Sequence, residues 1–129
     1  MTAQPDQARD DRADEAGGSI HVVRDTTRAT INLRGDIDDD DRETAQAQLA
    51  VLVENGVDRI VFDLAAIRFA DSSLLNLMIR ARAMLAGRGA VVIGGPVPPP
   101  VERLFEITGV GKVFDRHPSV EAALEADHG

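Results

Sequence analysis

In the run IRFADSSLLNLMIRARAML, residues 67–85, three consecutive side chains could do chemistry: Asp71, Ser72 and Ser73. They sit where an apolar, strand-like segment stops and an apolar, helix-like segment begins. Asp and Ser side chains accept hydrogen bonds from the orphan N–H groups of a helix's first turn. One such residue is enough for a cap, so a hydroxyl is left over. A Ser at this joint is displayed at the surface by rigid elements on both sides. The acidic run at residues 38–41 is a second concentration of chemistry. It lacks the spaced ligands and the Gly of an EF-hand loop. It reads as a solvated charge run at a helix start.

Signatures of catalysis are missing from the rest of the chain. GVGKV (residues 109–113) has Gly-Lys without the upstream Gly spacing or the Ser/Thr of a Walker A loop. No G-x-G-x-x-G follows a strand, and there is no G-x-S-x-G elbow. His21, His117 and His128 have no ligand spacing, and with no Cys there is neither a thiolate metal site nor a disulfide. The expectation is a chain that is not an enzyme and needs no metal or cofactor. A formal net charge of −8 opposes binding to phosphate backbones or anionic lipid. Four Phe with no Tyr or Trp supply no stacking platform for bases. Nucleic acid is therefore not an expected partner.

The elements that position Asp71, Ser72 and Ser73 are legible on both sides. Residues 1–18 are polar and acidic with no large apolar residue after Met1, so they are expected to form a disordered tail. The domain is expected over residues 19–129. SIHVVRD and RATINLRG, separated by Thr26 and Thr27, predict a hairpin whose second strand stops at Gly35. An acidic start and an apolar stripe of Ala45, Leu49, Leu52 and Val53 predict the first helix. VDRIVFDLAAI predicts a buried strand, and a helix follows from about residue 72 to 86. AVVIGG is another buried strand. PVPPP is a stiff connection into VERLFEITGV, a short helix ending at Gly109. KVFD is expected as an edge strand, and a last helix capped near Ser119 closes the chain. An opening hairpin and then alternating helices and strands predict an α/β domain, its mixed, mostly parallel sheet covered by helices. No apolar run reaches the roughly 20 residues that cross a bilayer, and the N-terminus has no signal-peptide core. The expected location is the cytoplasm.

From Ser19 onward the chain resembles the STAS domain, most closely the bacterial anti-sigma factor antagonists. Three blocks carry the likeness, in order and with family-like spacing: LRGDID (33–38), IRFADSSLL (67–75) and VERLFEITGVGKVF (101–114). The resemblance implies a function. In switching members the first Ser after the Asp is phosphorylated by a partner serine/threonine kinase that is itself the anti-sigma factor. The unphosphorylated antagonist binds that kinase and frees the sigma factor; phosphorylation breaks the contact. Carried over, the phosphoacceptor is Ser72, and Asp38, Asp71, Ser73 and Leu74 form the binding surface around it. The family usually has Gly where this chain has Leu74. Leu74 either changes the surface a partner meets or turns inward with Met78, Ala81 and Leu85, which share its helical stripe. Phosphorylation adds roughly −1.5 to −2 charge beside Asp71, enough to alter how a partner sees this surface. The alternative implied function is a non-switching STAS scaffold or accessory subunit in a stress-signalling or lipid-transport complex. A nucleotide-binding module is a third reading, with only the α/β architecture in its favour. An exposed edge strand and a partly apolar helix face leave both monomer and dimer open.

Overall fold

The computed structural model describes residues 18–126 of the chain; residues 1–17 of the expected acidic tail and the last three residues lie outside the described residues. The chain opens with the hairpin β1 (Ser19–Asp25) and β2 (Arg28–Ile37), paired antiparallel. Thr26, at φ 57°, makes the turn, and its hydroxyl donates to the Asp25 carbonyl. Then follow α1 (Arg42–Glu54), β3 (Arg59–Ala70), α2 (Ser72–Met84), β4 (Ala90–Gly94), α3 (Pro99–Thr108), β5 (Asp115–His117) and α4 (Val120–Glu125).

Strand order follows chain order, β1-β2-β3-β4-β5, and every pair after the hairpin is parallel. The three crossovers step the same way across the sheet, and parallel crossovers share one hand, so α1, α2 and α3 fall on one face. Between them and the sheet lies the large core, with Leu33, Leu49, Phe62, Leu64, Leu74, Met78 and Phe105 among its members. The short α4 covers part of the other face, where Ala123 packs on Val61 and Val92. Burying large aliphatic side chains at roughly 1.5–3 kcal/mol each is what holds the layers together. The four apolar positions read as the α1 stripe are all buried.

Four boundaries differ from the sequence reading. β2 runs through Gly35 to Ile37, and β3 reaches Ala70, because two register shifts let the long strands stay paired. At each shift β3 carries an extra residue, and there two adjacent residues face outward, Ala65 with Ala66 and Arg68 with Phe69. The prolines do not all lie in a connection: Pro99 and Pro100 open α3, where a missing N–H costs little. KVFD is not a strand. After Gly109, at φ 77°, caps α3, the chain winds into a 3-10 turn at Val110–Val113, and the edge strand begins at Asp115. The Gly109 N–H donates to the Phe105 carbonyl at 2.7 Å, and Thr108 Oγ1 accepts from Val110 N, so the helix exit itself sets up that turn.

Two contacts fix the loops around β4 and β5. The Gly89 backbone lies so close to Asp58 that a Cβ there would sit 1.8 Å from the Asp58 carbonyl oxygen. Arg116 on β5 grips Glu102 on α3 through two bonds of 2.7 and 2.9 Å, and its guanidinium lies 5.5 Å from the Phe105 ring centre. The hydrogen bond from Arg116 holds the Glu102 carboxyl below the usual carboxylate range.

Candidate phosphoacceptor site

Ile37 and Ala70 are register partners at the C-terminal ends of β2 and β3. Asp38 and Asp71 therefore leave the sheet side by side, and the Asp71 N–H reaches the Ile37 carbonyl at 3.4 Å. Asp71 is the N-cap of α2. Its backbone is extended, and its Oδ1 accepts from the Ser73 N–H at 2.8 Å. Asp38 Oδ1 accepts from the Asp40 N–H at 3.0 Å and so starts the 3-10 turn Asp39–Asp41 that leads into α1.

Ser72 is the first residue of α2 and is exposed. The cap uses the Asp71 carboxylate and the Ser73 N–H, which leaves the Ser72 hydroxyl outside it. A phosphoryl group on that oxygen would lie beside the first-turn N–H groups, where a helix favours negative charge. It would also lie next to two carboxylates, Asp38 and Asp71.

The structure divides the five residues singled out from the sequence. Asp38, Asp71 and Ser72 come together at the end of the sheet. Ser73 and Leu74 do not join them at the surface: Ser73 is buried, and Leu74 is 0% exposed. The placement of these two on a binding surface is thereby corrected. Each helical residue turns about 100° from the last, so with Ser72 facing out the next two side chains swing towards the sheet. Leu74 extends the buried row of Met78, Ala81 and Leu85. It fills core volume that the usual Gly would leave to its neighbours.

Sequence reasoning missed Phe69. Phe69 is 53% exposed, three residues before Ser72, and Ile79 is exposed further along α2. Strict strand alternation would have put Phe69 on the face of Ile67, in the core. The extra residue at the register shift turns it out instead, and no local sequence signal announces that shift. Arg68, which shares the outward step, pairs with Asp36 at 3.1 Å with both side chains well exposed. One turn beyond Ser72, Asn76, Ile79, Arg80 and Ala83 line a groove with Arg42 and Gln46 of α1. The accessible surface around Ser72 is thus acidic at the sheet end and mixed, with exposed apolar groups, along the helices. Among the described residues no group of three or more His, Cys, Asp or Glu is placed to hold a metal ion. No helix there is long and apolar enough to cross a membrane.

Known structures share this fold. The anti-sigma factor antagonist SpoIIAA in its unphosphorylated form superposes with a TM-score of 0.71 at 21% identity, over 81% of this chain and 92% of that one. Bacillus SpoIIAA in the phosphorylated form gives 0.65 at 21% identity, over 81% and 96%. An anti-sigma factor antagonist from Mycobacterium paratuberculosis gives 0.69 at 24% identity, over 84% and 92%. At such identities the likeness is one of fold. The family model described as "Mlab, STAS domain" matches residues 20–116, which takes in the sheet and both sides of the Asp71–Ser72 joint. The chain belongs to the STAS-domain family.

Proposed function

We propose that the protein is an anti-sigma factor antagonist controlled at Ser72. In the unphosphorylated form it binds an anti-sigma factor serine/threonine kinase, and a sigma factor is released. Phosphorylation of Ser72 ends that binding. One observation carries the reading: Ser72 is exposed at the start of α2 while Asp71 does the capping, so its hydroxyl is presented rigidly and without a structural task. The charge argument gives the direction of the switch. A doubly charged group beside Asp38 and Asp71 repels any partner shaped for the neutral serine, while the cap and core beneath it remain intact. The serine hydroxyl is a weak nucleophile, so the partner supplies ATP, metal and base, and this chain supplies position. That a solved STAS structure, SpoIIAA, is known in unphosphorylated and phosphorylated forms supports a fold that tolerates the modification.

The test is phosphopeptide mapping of the protein isolated from its native cells, with and without phosphatase inhibitors, alongside Ser72→Ala and Ser72→Asp. Phosphate on Ser72, its loss in Ser72→Ala, and weakened kinase capture by Ser72→Asp are expected. Phosphate on Ser73, or none despite tight kinase binding, would reject the switch. The family model's description names Mlab, which favours a second reading: a STAS scaffold or accessory subunit of a larger stress-signalling or lipid-transport complex. A co-purified assembly unaffected by Ser72→Asp would decide for that reading.

A further inference from the structure

At the end of the sheet remote from Ser72 two of the parallel strands, β2 and β3, begin with arginines. Arg28 and Arg59 are direct register partners on β2 and β3, on the face that α4 covers. Like charges set opposite each other repel. Neither forms an ion pair among the described residues. Arg88, in the turn before β4, joins them around a depression of about 350 Å³ whose wall also holds Asp58, Gly89 and Glu125.

Arg59 is the informative member. It is 5% exposed, which is rare for an arginine without a charged partner. Its Nη1 donates to the Ala123 carbonyl at 3.1 Å and ties the last turn of α4 to the sheet. Its Nη2 is equally enclosed and has no hydrogen-bond partner. The structural task accounts for one arm of the fork and leaves the other unpaired, a costly state for a buried cation. Arg88 Nη2 makes one long bond, 3.4 Å, to the Val53 carbonyl of α1, which the side chain gives up when it turns into the depression.

An oxyanion satisfies all three, because guanidinium groups match carboxylate and phosphate oxygens with paired N–H groups. Among the described residues of the wall, Asp58 and Glu125 reduce the charge from three positive to one positive. That balance suits a single compact anion and repels a polyanion. We propose that the depression binds a small oxyanion of the phosphate or carboxylate class, held by Arg28, Arg59 and Arg88. Arg28 and Glu125 are exposed side chains on the wall of the same depression, and Arg59 Nη2 is enclosed, so the anion reaches it when neighbouring side chains move aside. The volume admits a few carbon atoms beyond the anionic head. β3 is 12 residues long, so the site lies roughly 35 Å from Ser72 and touches no part of the phosphoacceptor surface.

The experiment is a titration of the ¹⁵N-labelled full chain with sodium phosphate and, separately, sodium succinate, at ionic strength held constant with sodium chloride. Saturable shifts confined to the amides of Thr27, Asp58, Arg59 and Gly89 are expected, and the anion that saturates first identifies the head group. Arg28→Gln and Arg88→Gln, both at exposed positions, should each weaken binding about tenfold, as loss of a charge-assisted bond implies. Arg80→Gln, in the groove between α1 and α2, should leave it unchanged. Arg59→Met should abolish binding, and the two exposed variants keep the test intact if that protein unfolds. Linear shifts equal to those with chloride, or saturation insensitive to Arg28→Gln and Arg88→Gln, would overturn the proposal.

Discussion

At the scale of single residues, the joint at the start of α2 separates three jobs among four neighbours. Asp71 caps, Ser72 is displayed, and Ser73 and Leu74 turn inward. Asp71→Ala should lower stability by about 1 kcal/mol in urea unfolding, while Asp71→Asn, which can still accept from the Ser73 N–H, should keep most of it. Leu74→Ala should cost roughly 2–5 kcal/mol, the range for truncating a fully buried leucine. A loss below 1 kcal/mol would mean that the Leu74 side chain is not core. That one of these side chains caps the helix was legible from residue types; that Asp71 does it, with Ser73 contributing only its N–H, was not. The direction of Leu74 was legible only as a choice, because its helical stripe argued for the core and the family pattern argued for the surface.

At the scale of elements, order and type could be read in the sequence, and ends could not. The apolar stripe of α1 and the continuous apolar run of β4 are strong local signals, and both elements lie where those signals put them. β5 was misplaced because KVFD holds only two β-prone residues, Val113 and Phe114, too few to outweigh the helix exit set by Gly109. The register shifts that expose Phe69 arise from pairing between strands and leave no trace in either strand alone. The α3–β5 clamp yields a pH prediction. The Glu102 pKa is lowered in the fold by the bond from Arg116, so its contribution is complete above the ordinary carboxylate value. It disappears as the pH falls through the lowered one. Both side chains are more than a third exposed, so the pair is worth about 0.5 kcal/mol. Wild type and Glu102→Gln should differ by that amount in urea unfolding at neutral pH and converge in strong acid. Gly89→Ala should be far more damaging, since its new methyl group collides with the Asp58 carbonyl and drives β4 from β3. The expected readout is loss of the cooperative unfolding transition or a large fall in Tm.

At the scale of the whole molecule, the described core draws on residues from Ala29 to Ala123 and is closed by α4. We propose that removal of residues 1–17 leaves Tm unchanged in calorimetry; a loss of several degrees would show that the segment contributes packing. The two ends of the sheet carry different chemistry, with the carboxylates Asp38 and Asp71 at one and the arginines 28 and 59 at the other. The sequential strand order has a consequence for synthesis on the ribosome. A sheet whose spatial order copies its chain order never has to reserve a gap for a strand still to be made. After the hairpin emerges, each new crossover adds its strand to the open edge already present and lays its helix on the same face. The loops closed at each step are short in sequence, which lowers the entropic barrier to each addition. The domain can therefore grow vectorially from the opening hairpin, and the acidic surface at Ser72 draws only on the ends of β2 and β3 and the start of α2, all of which precede β4 in the chain.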